Sequence, residues 1–278
     1  MNKKLHVLNG DSTAQILEKS NIDGDIVIWR EMLCEGPVHK SVGSDEFWIN
    51  RYSFFEEELR ISRLEYYDKT IKEIIKLEDV SGYDEVVLWF EYDLFCQVNL
   101  MALSTYLLAN YVKKVNYYLV CTGKEKGKNK LQSLTDFKPS EFETLYETKI
   151  ALSKANLEFA KESWELYVEN DFNKLKEFNF NQNSKFKYLQ VAINQHLQRF
   201  PSKNGLNQIE NKILEIINSN EFSEKEIVKN LLIWQQKETV FGFGDVQYFL
   251  YINGLEKYFT IDYDKYYLNE KGLAKINQ

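Results

Sequence analysis

Four short runs of β-branched, leucine and aromatic residues, separated by helical patterns, restrict the first half of this chain to a small set of folds. The runs cover residues 5–9, 25–29, 84–89 and 115–121. Each is nearly continuous in apolar residues, as strands buried on both faces are. Between them the apolar spacing is helical: a segment that Ser12 or Thr13 can cap, running to about residue 20, then 47–63, 69–77 and 96–111. This alternation predicts an α/β domain over residues 1–135, with a doubly wound, Rossmann-like parallel sheet. Right-handed crossovers place its helices on both faces.

The character changes after Thr122. The stretch GKEKGKNK sets Lys124, Lys126, Lys128 and Lys130 in what reads as a solvated loop, although four lysines can also meet a phosphate. Residues 136–204 read as a helical connector. Pro139 opens a long helix over 140–170, and a second helix over 188–199 stops at Pro201. Residues 205–278 show helices at 208–218, 223–235 and 245–256. Two short strands follow at 258–261 and 266–268, with the turn at 262–264. Three helices followed by a hairpin is a winged-helix-like order. This segment holds 8 lysines, no arginine and 11 acidic residues, and its candidate recognition helix, DVQYFLYINGLE, is mostly apolar and aromatic. Backbone neutralisation and base readout both favour Lys or Arg. Packing, or formation of a homodimer, is therefore expected ahead of contact with nucleic acid.

Composition bounds the partners. A net charge of −7, with 44% hydrophobic and 28% charged residues, fits a folded chain without general attraction to nucleic acid or to an anionic membrane. No apolar run approaches the roughly 20 residues of a membrane span. Cys34, Cys96 and Cys121 are widely and irregularly spaced, which matches neither a disulfide framework nor a structural zinc motif. The start, MNKKLHVLNGDS, lacks the apolar stretch of a secretory signal. A cytoplasmic location is the expectation.

Three polar clusters fall at the carboxyl ends of the expected strands, where open parallel sheets bind ligands. The first is Asn9-Gly10-Asp11-Ser12. Gly10 allows close backbone approach, and Asp11 or Ser12 can meet the amides of the next helix. The cluster lacks the further glycines of a dinucleotide fingerprint. Its GDS triplet also occurs in a class of serine hydrolases, but Ser12 would need a base. Only His6, His39 and His196 exist, and His6 lies within a strand. The second cluster is Trp29-Arg30-Glu31, with Glu35 returning through the Gly36-Pro37 turn. Arg30, one of five arginines, offers a fork for carboxylate or phosphate. A salt bridge with Glu31, Glu35 or Asp11 is equally open to it. The third is Glu91-Tyr92-Asp93. In a strand these carboxylates share a face, which suits acid–base work. Together with Asp11 and Glu31 they equally offer oxygen ligands to a divalent cation. Gln97 and Asn99, early in the following helix, can orient a ligand.

The motifs LHVLNGDS, WREMLCEGP and LWFEYDLFCQVNLMALSTYLL resemble an uncharacterised bacterial family whose amino-terminal part is catalogued as a domain of unknown function. HLQRFPSKNGLNQIENKILEII is similar to a second uncharacterised domain that often follows it. The likeness covers most of the chain. It departs at Glu31 and Cys96, where the family pattern favours Asp, and at Cys34 and Tyr92, where it favours His. The resemblance implies a fold and a site position rather than a reaction.

These observations lead to one expectation and two alternatives. A small phosphate-bearing or nucleotide-like ligand is bound or processed at the strand ends. Arg30 holds its anionic group, with Glu31, Glu35 and Gln97 around it and Gly10 to Ser12 presenting amides. Glu91, Asp93 or Asp11 acts as base or metal ligand. One alternative is a ligand-sensing regulator whose winged-helix-like region contacts DNA or a protein. The other is a carboxylate-lined, metal-dependent hydrolase or nuclease.

Overall fold

All four apolar runs form strands. β1 (Lys4–Leu8), β2 (Asp25–Ile28), β3 (Glu85–Phe90) and β4 (Asn116–Cys121) are parallel, and β5 (Ile150–Leu152) adds antiparallel to β4. The order is β2-β1-β3-β4-β5, so the chain's direction of progress across the sheet reverses between β1 and β3. The computed structural model describes residues 2–277, which divide into one unit through Gln190 and another from Val191.

In the first unit α1 (Asp11–Glu18) follows β1. After β2 come α2 (Asp45–Leu59) and α3 (Arg63–Tyr66), then a π turn over Tyr67–Ile71, α4 (Lys72–Ile74) and a 3-10 turn over Ile75–Leu77. α5 (Leu94–Ala109) links β3 to β4 and is buried around nearly its whole circumference, because α7 (Lys154–Glu169) packs against it. α6 (Phe142–Glu147) precedes β5, and α8 (Phe172–Glu177) follows α7. The boundary between the units falls within α9 (Leu189–Leu197).

The single helix expected over 140–170 is broken. Ile150–Leu152 instead completes the sheet edge, and Ser153 starts a new helix through a reciprocal cap. Asn156 Oδ1 accepts from the Ser153 amide at 2.8 Å, and Ser153 Oγ accepts from the Asn156 amide at 3.3 Å. Nor is 136–204 a separate connector. Its first part belongs to the unit containing the sheet, and its remainder belongs to the second unit. There α10 (Gln208–Ser219), β6 (Phe222–Ser223), α11 (Glu224–Glu238) and α12 (Asp245–Asn253) precede β7 (Phe259–Asp262), β8 (Lys265–Leu268) and α13 (Glu270–Ile276). The short strand β6 and the last helix were not expected from the sequence. They complete an antiparallel sheet in the order β6-β8-β7 and cap the unit.

Every side chain of β3 is buried, since helices cover both faces of the sheet. Trp89 stacks on Phe142 of α6, with ring centroids 5.3 Å apart and an interplanar angle of 14°. Its indole N–H donates to His6 Nδ1 at 3.1 Å, and His6 Nε2 lies 3.2 Å from the Asp23 carbonyl. These partners place the proton on Nε2. Burial pushes the imidazole below its ordinary value, so His6 is a neutral core residue. Among the described residues no helix is long and apolar enough to cross a membrane. Removing the ring of Phe142 should open a cavity against Trp89. Phe142→Ala is expected to cost about 3–5 kcal/mol, read by urea unfolding followed through tryptophan fluorescence.

Candidate functional site

At the end of β1 the backbone of Gly10 has φ 123°, which a side-chain-bearing residue rarely adopts. Space above it is open, because a Cβ built there would meet nothing within 4 Å. Gly10 is itself the N-cap of α1 and supplies no side-chain oxygen, so neither Ser12 nor Thr13 is the cap. Asp11 turns aside to Arg30. The guanidinium Nε lies 3.1 and 3.0 Å from the two carboxylate oxygens of Asp11, and Nη2 lies 2.7 Å from Oδ1. Nη1 donates to the Lys69 carbonyl at 2.8 Å. Arg30 holds Asp11 below the usual carboxylate range, chiefly by these hydrogen bonds. Of the roles open to Arg30 in the sequence, the structure shows the internal pair.

Glu31 points into the protein instead of the site. Its side chain and that of Arg51 from α2 are both fully buried, 2.9 Å apart. Glu31 Oε2 accepts from Arg51 Nε at 3.1 Å and from the Met32 amide at 3.1 Å, while the Tyr66 hydroxyl donates to Oε1. Arg51 also donates to the carbonyls of Glu35 at 2.7 Å, Pro37 at 3.3 Å and Met32 at 3.4 Å. The segment after β2 is thus folded around one buried guanidinium, and Glu35 contributes its backbone carbonyl. Asn99 of α5 extends the network. Its Nδ2 donates to the Glu31 carbonyl at 2.6 Å and to Asn9 Oδ1 at 2.8 Å, and its Oδ1 accepts from the Leu33 amide at 3.2 Å. The Asn9 amide in turn donates to Cys96 Sγ at 3.0 Å.

That chain of contacts ends at Glu91, Asp93 and Cys96, whose candidate ligand atoms all lie within 4.8 Å of one another. Strand alternation does not bring the two carboxylates together, because β3 stops at Phe90. The sharp strand-to-helix turn does. Asp93 is the N-cap of α5, and its Oδ1 accepts from the Cys96 amide at 2.8 Å. Glu91 Oε1 accepts from the Leu134 amide at 2.8 Å. Each carboxylate therefore has one oxygen anchored by a backbone N–H. Among the described residues no lysine or arginine pairs with either one.

Both carboxyls are raised above their ordinary range. Burial is the main cause for each, and the neighbouring Asp93 charge adds to the shift at Glu91. Burial also pushes the Cys96 thiol up, with further contributions from Asp93 and Glu91. The site is a carboxyl pair and a thiol in low dielectric, without a counter-charge.

The walls come from β4 and α5. Gln97 Nε2 donates to the Glu91 carbonyl at 2.6 Å and approaches Cys121 Sγ at 3.5 Å. The segment after Gly123 is closed by the Gln132 amide donating to the Gly123 carbonyl at 2.8 Å, and it holds Lys124, Lys126, Lys128 and Lys130 in solvent. Tyr188 packs edge-on to Tyr92 and accepts from the Lys124 amide at 2.6 Å.

The structure thus gathers Glu91, Asp93 and Gln97, leaves Gly10 and Ser12 at the exposed turn, and commits Asp11, Arg30, Glu31 and the Glu35 carbonyl to other contacts. Sequence reasoning placed Asn9 in the first polar cluster without a role of its own and left Cys96 out of the site. A signal for Cys96 existed, since it is the third residue after a helix-capping Asp and must lie against the cap carboxylate. An open cleft of about 350 Å³ lies at the opposite, amino-terminal end of β1 and β2, lined by Asn2, Lys3, Lys4, Asp23, Gly24 and Asp25. Its lysines are paired with Asp25 at 3.6 Å and Asp23 at 2.5 Å, so it offers no unmatched charge.

The two arginines should differ in mutational cost. Arg51→Met leaves Glu31 buried without its counter-charge and is expected to cost about 3–5 kcal/mol. Arg30→Ala breaks a pair that is 30% and 58% exposed and should cost about 1 kcal/mol or less in the same denaturant titration. The acid pair sets a pH dependence of the opposite sign to that of ordinary ion-paired carboxylates. Carboxyls raised by folding bind protons more tightly in the native state. Their contribution is therefore present below the ordinary carboxylate range and is lost as pH rises through the raised values. With chelator present, Glu91→Gln should flatten this loss and become more stable than the parent at pH about 8, by roughly 1 kcal/mol or more. A variant that tracks the parent at every pH would contradict the assignment. No protein-family model matches the chain and no curated protein matches it, so the candidate site stands on its own geometry.

Proposed function

We propose that the first unit binds and processes a small phosphate-bearing or nucleotide-like ligand at the carboxyl ends of its parallel strands. A divalent cation held by Glu91 and Asp93 bridges protein and ligand. The observation that carries this reading is the lack of compensation at the acid pair. Two carboxylates converge in a buried setting while every described arginine nearby is engaged elsewhere, as Arg30 is with Asp11 and Arg51 with Glu31. An anion placed there alone would be repelled, whereas a cation would relieve the pair and attract phosphate oxygens. The strand order supports the same location. The reversal of direction between β1 and β3 agrees with a Rossmann-like, doubly wound reading, in which ligands sit outside the strand ends at such a reversal, here next to the Gly10 turn and the start of α1. Metal-assisted hydrolysis is the chemistry such a site would serve.

A second reading concerns the other unit. Its order of helix, strand, two helices and hairpin, with the sheet order β6-β8-β7, agrees with the winged-helix-like reading and supports a ligand-sensing regulator. The hairpin tip carries Tyr263, 94% exposed, between Asp262 and Asp264. An acidic tip of this kind suits a protein partner better than a DNA backbone.

The test of the main reading is a thermal-shift screen of the full chain against divalent cations, nucleotides and sugar phosphates, alone and in pairs. Binding at about 100 times the dissociation constant adds about 2.7 kcal/mol to apparent stability. The expected result is a shift by cation that grows when a phosphate compound is added and shrinks in Glu91→Gln. Equal shifts in parent and variant, or none in either, would remove the assignment.

A further inference from the structure

Two buried oxygens at the ends of β4 and the β3–α5 turn have no hydrogen-bond partner: Gln97 Oε1 and Thr122 Oγ1. Gln97 is 1% exposed, and its amide orientation is fixed by Nε2 donating to the Glu91 carbonyl. Oε1 shares the amide carbon with that nitrogen. It therefore remains against the same wall as Glu91, an acceptor without a donor. Thr122 follows Cys121 at the end of β4 and is tied to the neighbouring strand by its amide donating to the Phe90 carbonyl at 3.2 Å. A buried acceptor left unmatched keeps its full desolvation penalty, which an unseen partner would relieve. Here it belongs to the side chain that holds the Glu91 carbonyl, in the turn that carries two carboxylates and a sulfur, and those groups gain from a positive charge as it does.

The kind of cation follows from the donor set. Cys96 Sγ lies within 4.8 Å of the carboxylate oxygens of Glu91 and Asp93 and already accepts the Asn9 amide at 3.0 Å. Hard ions such as Mg²⁺ and Ca²⁺ take all-oxygen sets, whereas a cysteine sulfur selects softer ions. An outer hydrogen bond to the sulfur, such as that from Asn9, is a common support for a metal-bound thiolate. We infer that Glu91, Asp93 and Cys96 form a binding site for a thiophilic divalent cation, Zn²⁺ or Co²⁺, with Gln97 Oε1 as the oxygen that completes it. The inference rests on the cation reading above and names the class of ion. On binding, the Cys96 S–H bond breaks as the metal–sulfur bond forms, and the proton passes to solvent.

The experiment titrates the reduced, full-length protein with Co²⁺ and records the thiolate-to-cobalt charge-transfer absorption in the near ultraviolet. The band should appear at one equivalent, bleach when Zn²⁺ is added and persist unchanged in excess Mg²⁺. Cys96→Ser should abolish it and weaken Co²⁺ binding by about tenfold or more, whereas Cys34→Ser and Cys121→Ser should keep it. Glu91→Gln should retain the band at weaker affinity, which keeps the test decisive if Cys96→Ser does not fold. A band that survives Cys96→Ser, or is unaffected by Glu91→Gln, overturns the inference. If Mg²⁺ or Mn²⁺ binds in a Glu91-dependent way and Co²⁺ gives no thiolate band, the sulfur assignment fails and the broader cation reading stands. If no divalent ion binds, both fail.

Discussion

The arrangement of this sheet's functional edge depends on a charge that cannot reach water. Arg51 enters the protein from α2, and once its guanidinium is buried its donors require partners inside. Glu31 supplies the counter-charge, and the carbonyls of Met32, Glu35 and Pro37 supply the remaining acceptors. The segment after β2 has no helix or strand before α2, so this side chain, together with Asn99, sets its path. Tyr66 closes the network through its hydroxyl. Burial and the Glu31 charge push that phenol up, which keeps it a donor.

Asn99 transmits the same order to the neighbouring strand. It is fully buried on α5, and the nitrogen and oxygen of its side-chain amide bond to the segments after both β1 and β2. Asn9, held by Asn99, then donates to the sulfur of Cys96. A continuous set of directed contacts runs from a neutralised ion pair to an acid pair that is not neutralised. The contrast is electrostatic. In a region of low dielectric an uncompensated pair of carboxyls must hold a proton or attract a cation. The fold satisfies its other buried charges, so the exception marks the place where chemistry is to be sought.

The second unit is organised by different means. Its helices α10 and α13 begin with side-chain caps, as at Asn207, where Oδ1 accepts from the Glu210 amide at 3.0 Å and Glu210 accepts in return at 2.7 Å. Its hairpin turns through Tyr263 and Asp264, both with positive φ. Local signals of this kind act over three or four residues. That is why the helix and hairpin order was legible in the sequence, while the two-residue strand β6 was not. The broken helix at 140–170 has the same lesson. Apolar spacing across residues 150–152 fits either a helix or a strand, and pairing with β4 resolved it.

The sequence by itself determined the parallel strands, their alternation with helices and the position of polar residues at the carboxyl ends, because periodicity and chain direction suffice for those. It also set Glu91 and Asp93 together at the end of β3, although it read them as strand neighbours on one face, and the turn that unites them appeared only in the structure. Only the tertiary structure decided which charges cancel. Arg30 could have met Asp11, Glu31 or a ligand, and the choice of Asp11 follows from how β1 and β2 pair. Glu31 was lost to Arg51, a residue 20 positions away that no local pattern connects to it. Cys96 and Gln97 joined the acid pair because Asp93 both ends the strand connection and caps α5, which turns the chain back on itself. Partner choice among charges depends on distance and burial in three dimensions, and a linear pattern of residue types carries neither.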